Sequence, residues 1–230
     1  MTVAPFLSRI TRRFVKVCGL TRYADAEVCA QAGVDAIGIN FFPRSKRFHP
    51  LAQAREWLEA FSGNGAPARI ALFVNAGLDE IRAAVETGLF EAVQLHGDET
   101  PEFEASVKAL GLPVVRGLAL QTESDIARLA EHPADGFILD SPAPGVYGGT
   151  GHLCDWSLAA AAVSRYPNRP ILLSGGLTPE NVAAAVLEVS PFGVDVASGV
   201  ESEPGVKDHA KIRAFAALAK GESTNTRLFP

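Results

Sequence analysis

Cys18 ends a short apolar run, Phe14 to Val17, just before a glycine and a helical pattern. A thiol is a useful base or nucleophile only as the thiolate, and its ordinary pKa is about 8.5. Because residues two apart on a strand share a face, Lys16 is expected beside Cys18, where its positive charge would favour the thiolate. This placement predicts a working thiol, with a small buried apolar side chain as the alternative.

Asp140 follows another apolar run, Phe137 to Leu139, and precedes Ser141. Its carboxyl group is expected to project into a cavity rather than into bulk water, and partial desolvation would raise its pKa. A carboxyl group that stays protonated can serve as a general acid and complement a thiolate base across the same cavity. The alternative is an aspartate that only caps a helix or closes a turn.

Two glycine loops also follow apolar runs. One contains Gly175 and Gly176, and the other contains Ser198 and Gly199. Glycine lets backbone N–H groups approach an anion closely, because it has no side chain in the way. A single Gly-Gly pair is most often a turn, but two such loops together predict a phosphate-binding site.

Arg47, in the cationic segment 43–47, is the best candidate to bind a second anionic group, since the guanidinium fork matches a carboxylate. His96 is expected to line the same pocket or to fix a loop. It is not expected to bind a metal, because no second histidine or acidic cluster has ligand spacing around it. Cys29 and Cys154 are predicted to be packing residues.

Eight short runs rich in valine, isoleucine and leucine alternate with helical patterns. Each run has about 4 to 6 residues, as buried parallel strands do. The predicted strands are Phe14 to Val17, Ala36 to Phe41, Ile70 to Val74, Ala92 to Leu95, Val114 to Leu118, Gly136 to Leu139, Ile171 to Ser174 and Gly193 to Val196. The predicted helices are Tyr23 to Ala32, Leu51 to Phe61, Leu78 to Thr87, Pro101 to Leu110, Glu123 to Glu131, Trp156 to Ser164, Pro179 to Val189 and Asp208 to Lys220.

Eight strand–helix units predict a closed α/β barrel, the (β/α)8 or TIM barrel, built as a single domain. The alternative, a doubly wound open sheet, usually has fewer units and a phosphate loop after its first strand, but no G-x-G-x-x-G follows Val17. In the barrel the active site lies at the carboxyl ends of the strands, and phosphate binds after strands seven and eight. Closure would also set Lys16 beside Asp195 on the eighth strand, and the two are expected to pair.

The chain has 230 residues and a net charge of −5, and no basic surface stands out that would indicate nucleic acid or an anionic membrane. A small-molecule substrate is therefore the expected partner. Three cysteines fit neither a disulfide framework nor a zinc finger, and no apolar run suits a signal peptide or a membrane span, so a cytoplasmic protein is expected. Residues 1–13 are expected to form a flexible arm, 14–220 the barrel, 221–230 a polar tail, and 141–155 a mobile active-site loop.

Several segments together resemble the phosphoribosylanthranilate isomerase family of tryptophan biosynthesis. They occur in the family's order and at the expected strand ends. The segments are KVCGLT (16–21), FFPRSKR (41–47), VQLHGDE (93–99), LDSPAPGVYGGTG (139–151), LSGGLTPENV (173–182) and GVDVASGVESEPGVKD (193–208).

The resemblance implies that Cys18 is the general base, that Asp140 is the general acid and that Arg47 contacts the anthranilate carboxylate. The two glycine loops would hold the ribose phosphate, and we also expect His96 and Asp195 to bind substrate. The implied reaction is the Amadori rearrangement of N-(5-phosphoribosyl)anthranilate without a cofactor, in a monomer or a homodimer. The alternatives are another phosphosugar isomerase or synthase on this fold, expected to use paired aspartates or a catalytic lysine, and a non-catalytic barrel that binds a phosphosugar.

Overall fold

The computed structural model describes residues 13–61, 65–141 and 154–222. It contains a closed barrel of eight strands in the order β1 to β8, all paired in parallel, as the sequence predicts. The strands are β1 (Phe14–Cys18), β2 (Ala36–Asn40), β3 (Ala68–Phe73), β4 (Ala92–Leu95), β5 (Val114–Ala119), β6 (Gly136–Asp140), β7 (Ile171–Leu173) and β8 (Gly193–Val196).

A helix follows each of these strands and covers the outside of the barrel. The helices are α1 (Tyr23–Gln31), α2 (Leu51–Leu58), α3 (Leu78–Glu86), α4 (Pro101–Lys108), α5 (Glu123–Arg128), α6 (Trp156–Arg165), α7 (Val182–Val189) and α8 (His209–Ala219). A short antiparallel hairpin, β9 (Glu201–Glu203) and β10 (Val206–Lys207), lies between β8 and α8.

Alternate residues of β1 face opposite sides of the barrel wall. Val15 and Val17 belong to the apolar cluster between the strands and the helices, whereas Phe14 belongs to a cluster inside the barrel. Lys16 and Cys18 take the same side as Phe14, and both are buried. The predicted shared face of Lys16 and Cys18 is therefore confirmed.

The barrel closes where β1 pairs with β8, in a register that sets Lys16 opposite Asp195. Lys16 Nζ donates to Asp195 Oδ1 at 2.8 Å, so the predicted ion pair is confirmed. The lysine side chain is fully buried, and the aspartate side chain is 7% exposed. The seam of the barrel therefore holds a buried charge pair two residues before the end of β1.

Helix α7 begins at Val182, so the prediction that it begins at Pro179 was wrong. The side chain of Asn181 accepts a hydrogen bond from Thr178 N at 2.8 Å and donates one to Gly176 O at 2.9 Å. These side-chain bonds act together with the backbone bond from Asn181 N to Thr178 O at 3.3 Å and hold residues 178–181 as a turn. The turn keeps the glycine loop after β7 in a fixed position.

Residues 1–12, 62–64, 142–153 and 223–230 lie outside the described residues. Most of the predicted amino-terminal arm, the predicted loop 141–155 and the predicted tail fall there. Within the three described ranges, no helix combines the length and the apolar character that a membrane crossing requires.

Candidate active site

A cavity opens at the carboxyl ends of the strands. Its lining includes Cys18, Asp140 and Arg47, the residues predicted for acid–base chemistry and carboxylate binding, together with His96 and Asp195. The other lining residues are Asn40, Ser45, Leu72, Gln94, Ser174 and Ala197. The fold therefore brings five predicted residues, from well-separated parts of the chain, into one site.

A second cavity adjoins the first, between the loops that follow β7 and β8. It is lined by the residues predicted to bind phosphate, namely Gly175, Gly176, Ser198 and Gly199. The residues that line both cavities are Asp140, Ser174, Asp195 and Ala197. A molecule with an anionic group at each end can therefore span the two cavities.

The loops around the second cavity approach each other too closely for side chains. Gly175 and Gly176 have positive φ angles of 82° and 64°, which favour glycine. A Cβ atom added at Gly199 would lie 1.8 Å from Leu177 O. Glycine at these positions leaves the backbone of both loops open to an anion.

Cys18 lines the first cavity with only 6% of its surface exposed. Burial raises the pKa of the thiol, the positive charge of Lys16 lowers it and the negative charge of Asp195 raises it again. The net result is a thiol pKa above the ordinary value. Lys16 thus acts on the thiol in the predicted direction, but burial outweighs its effect.

Asp140 is buried at the end of β6, between the two cavities. Burial by itself raises the pKa of the carboxyl group, but the contacts with His96 and Ser141 outweigh burial and leave the pKa below its ordinary value. His96 Nε2 lies 3.3 Å from Asp140 Oδ2, and Ser141 N donates to Oδ1 at 2.8 Å. The prediction of a raised pKa was wrong, because hydrogen bonds to the ionised form exceed the cost of its desolvation.

His96 is held against Asp140 by Gln94, a residue for which no role was predicted from the sequence. Gln94 is buried in β4, and its Nε2 lies 2.9 Å from His96 Nδ1. When the amide nitrogen donates this bond, His96 Nδ1 is the acceptor and Nε2 carries the proton that faces Asp140. Gly117 makes room for the ring, since a Cβ atom there would lie 2.3 Å from His96 Nδ1. The two-residue spacing of Gln94 and His96 is the signal that could have revealed this pair.

Arg47 reaches the first cavity with its guanidinium already paired. Its Nε and Nη2 atoms donate to the two carboxylate oxygens of Glu201 at 2.7 and 2.8 Å. Burial lowers the pKa of Arg47, but the bonds and the charge of Glu201 outweigh burial and raise it above the ordinary value. The pairing with Glu201 was not predicted from the sequence, because 154 residues separate it from Arg47 along the chain.

A sequence model of the N-(5'phosphoribosyl)anthranilate (PRA) isomerase family matches residues 15–217 of the chain. The chain is 44% identical to N-(5'-phosphoribosyl)anthranilate isomerase of Myxococcus xanthus over 210 residues, which cover 90% of this chain and 95% of that protein.

Solved structures of the same family have the same fold. The crystal structure of phosphoribosyl anthranilate isomerase from Thermotoga maritima matches with a TM-score of 0.81 and 38% identity, covering 91% of this chain and 99% of that one. A phosphoribosyl anthranilate isomerase in complex with reduced 1-(o-carboxyphenylamino)-1-deoxyribulose 5-phosphate matches with a TM-score of 0.77 and 35% identity, with 91% and 99% coverage.

Proposed function

This chain belongs to the N-(5'-phosphoribosyl)anthranilate isomerase family, and we infer that it converts N-(5-phosphoribosyl)anthranilate to 1-(2-carboxyphenylamino)-1-deoxyribulose 5-phosphate in tryptophan biosynthesis. The observation that carries the inference is the joined pair of cavities, where a thiol, a carboxyl group and a guanidinium lie beside two glycine loops. A protein that only binds a phosphosugar has no use for an acid and a base across one cavity.

Substrate binding is proposed to use the two ends of the molecule. The ribose phosphate would occupy the second cavity and accept hydrogen bonds from the backbone of the glycine loops. The anthranilate carboxylate would face Arg47 in the first cavity. With both ends held, the sugar lies between Asp140 and Cys18, bordered by His96 and Asp195, and is oriented for proton transfer.

The proposed chemistry begins with proton transfer from Asp140 to the ring oxygen of the sugar. The C1–O bond breaks, and the nitrogen lone pair forms a C1=N bond. Cys18 as thiolate then takes the proton from C2, the C–H electron pair forms C1=C2, and the C=N electrons return to nitrogen. In the resulting enolamine, C1 gains a proton while the C2 hydroxyl loses one, which gives the ketone.

The proposed reaction is an internal redox exchange. C1 is reduced and C2 is oxidised within one molecule, so the electrons balance without an outside acceptor or donor. We therefore assign the enzyme to the intramolecular oxidoreductases, as an aldose–ketose isomerase that works without a cofactor.

The pH profile of kcat/KM follows from the two pKa directions. The reactive form has Cys18 as thiolate and Asp140 protonated. Because the pKa of Asp140 is lowered and that of Cys18 is raised, most molecules at a pH between the two values carry the neutral thiol and the ionised carboxylate instead. In that window the thiolate fraction rises with pH as fast as the protonated Asp140 fraction falls, so we expect kcat/KM to stay level through neutral pH. It should fall once pH passes the Cys18 pKa. Steady-state rates across this range check the profile, and a decline that begins below about pH 8, under the ordinary thiol pKa, would contradict it.

Gly199→Ala is expected to weaken substrate binding. The new Cβ atom would meet Leu177 O at 1.8 Å, so the loops must separate and the phosphate loses backbone contacts. Overpacking of this kind costs about 1 to 3 kcal/mol, and where substrate binding bears that cost KM rises by about 5- to 160-fold. Steady-state kinetics give KM. The matched control is Gly77→Ala, where nothing lies within 4 Å of the added Cβ. An equal KM for the two variants would contradict the assignment of the second cavity as the phosphate site.

The activity itself is tested by following the loss of phosphoribosylanthranilate fluorescence with the purified protein. Turnover at a catalytic concentration of protein supports the proposed function. If the folded protein shows no turnover, the proposed activity is refuted and the alternative of a non-catalytic, phosphosugar-binding barrel is favoured.

We also propose a cytoplasmic enzyme that acts as a monomer or a homodimer, without nucleic acid or membrane. Its three cysteines are unpaired and buried, which suits a reducing compartment. The net charge of −5 gives no attraction to nucleic acid. Sedimentation equilibrium of the purified protein measures the oligomeric state.

A further inference from the structure

Three charged side chains form a buried cluster beside the first cavity: Arg47, Glu201 and Lys207. Both oxygens of Glu201 accept hydrogen bonds from Arg47, and Lys207 Nζ donates to Glu201 Oε1 at 2.9 Å. The exposed fractions of the side chains are 12% for Arg47, 5% for Glu201 and 0% for Lys207. Arg47 lines the cavity, whereas Glu201 and Lys207 lie behind it.

Lys207 is surrounded by acceptors that stabilise its ammonium form, although burial lowers its pKa below the ordinary value. Its Nζ atom also donates to Cys18 O at 2.6 Å and to Ala197 O at 3.0 Å. With Glu201 these make three acceptors, and only the protonated amine has three N–H donors. The ammonium group thereby ties the hairpin β9–β10 to the ends of β1 and β8.

The cluster keeps an excess of positive charge. Arg47 and Lys207 supply two cations and Glu201 supplies one anion, so the net charge is +1. Without Lys207, the guanidinium and the carboxylate would balance each other, and an incoming carboxylate would gain little attraction. Lys207 therefore decides whether this corner of the cavity attracts an anion.

The cluster also fixes the direction of the guanidinium. Glu201 holds Nε and Nη2, and Nη1 stays outside this pair. A two-pronged pair of this kind sets the plane of the fork as well as its position. The edge of Arg47 that carries Nη1 is therefore the edge left for a second carboxylate.

We propose that Glu201 and Lys207 are positioning residues that make the enzyme selective for a substrate with a carboxylate on its aromatic ring. Glu201 orients Arg47, and Lys207 supplies the excess positive charge. This proposal rests on the proposed function, because it concerns the ring carboxylate of that substrate. Neither residue lines either cavity, so both act through Arg47.

The test compares two probes by isothermal titration: reduced 1-(o-carboxyphenylamino)-1-deoxyribulose 5-phosphate, and the same compound without the ring carboxyl group. The wild-type protein should bind the carboxylated probe about tenfold or more tightly, as one charge-assisted contact would give. Lys207→Gln, which removes the charge but keeps hydrogen-bond donors, and Lys207→Met, which keeps the length, should both abolish this preference. Affinity for the probe without the carboxyl group should change little. Lys207→Arg should restore the preference, because it restores the charge.

The matched control is Lys211→Met. Lys211 also contacts Glu201, through the backbone carbonyl at 3.1 Å, but it is exposed and carries no charge into the cluster. It should keep the full preference of the wild type. A merely structural role for Lys207 would weaken both probes equally in Lys207→Gln and would overturn the proposal.

A wild-type protein with equal affinity for the two probes would overturn the proposal as well, whether or not the Lys207 variants fold. The proposed function has a separate readout, which is turnover of phosphoribosylanthranilate by the wild type. If the wild type turns over phosphoribosylanthranilate but the Lys207 variants keep the wild-type probe preference, only the positioning role is refuted. If the wild type shows no turnover, the proposed function is refuted.

Discussion

Asp140→Asn is expected to lower kcat for the isomerisation of phosphoribosylanthranilate by about 10²- to 10⁴-fold, the range that a general acid contributes. Asparagine fills the same volume and keeps an oxygen for Ser141 N, which donates to Asp140 at 2.8 Å. It has no acidic proton to give to the ring oxygen of the sugar. Steady-state fluorescence gives kcat, and titration with the reduced product analogue should show nearly unchanged binding.

The same reasoning applies to Cys18, the proposed base. Cys18→Ser is expected to lose kcat over a similar range, because a hydroxyl group is far less acidic than a thiol and yields almost no anion. Cys154→Ala is the control, since Cys154 is also buried at this end of the barrel but lines neither cavity. Undiminished turnover in both Cys18→Ser and Asp140→Asn would refute the acid–base mechanism.

The barrel was predictable from the sequence because its strands are local features. Each apolar run is buried on both faces, so its composition identifies it without knowledge of its neighbours. Order along the chain then predicted that β1 meets β8 and that Lys16 pairs with Asp195. The start of α7 was missed, because the bonds of the Asn181 side chain decide it rather than the proline that usually opens a helix.

The electrostatics of the site were harder to predict than its composition. Position at a strand end correctly placed Asp140 in the cavity, but burial alone gave the wrong direction for its pKa. The bond from His96, 44 positions earlier in the chain, reverses the effect of burial. Glu201 and Lys207 lie in a segment that resembles the family, but nothing local predicted their pairing with Arg47, since charged residues are mostly exposed. Contacts across the barrel determine these properties, and the order of residues does not reveal them.

The proposed acid and base distinguish this site from the other phosphosugar barrels considered. Cys18 ends β1, Asp140 ends β6, and both line the first cavity; Asp195 lines it too, but its carboxylate is paired with Lys16. Two buried lysines at this rim are ion-paired, Lys16 with Asp195 at 2.8 Å and Lys207 with Glu201 at 2.9 Å. A lysine held as an ion pair is poorly suited to be a nucleophile, because a nucleophilic amine must be neutral. Lys16 is therefore better understood as a partner of Cys18.

Lys16→Met is expected to lower kcat/KM on the pH plateau by about tenfold or more. Lys16 is the largest influence that lowers the pKa of Cys18, and without it both burial and the Asp195 carboxylate act to raise that pKa. An opposite charge at close range shifts a pKa by about 1 to 3 units, and each unit reduces the thiolate fraction tenfold. The alkaline fall of kcat/KM should move to higher pH by the same number of units as the plateau falls.

Asp195→Asn should act in the opposite direction on the thiol. It removes a negative charge that raises the Cys18 pKa and leaves Lys16 unpaired, so the thiol should ionise at lower pH than in the wild type. The pKa can be measured apart from turnover by the pH dependence of alkylation with iodoacetamide, in a background of Cys29→Ala and Cys154→Ala. The thiols removed there have their pKa raised by burial to about 12, so they add little signal even where replacement is incomplete. Equal alkylation profiles for Lys16→Met and Asp195→Asn would mean that the ion pair stabilises the barrel without affecting the pKa of Cys18. Shifts of opposite sign would mean that the pair sets the pKa of Cys18 and hence the fraction of thiolate.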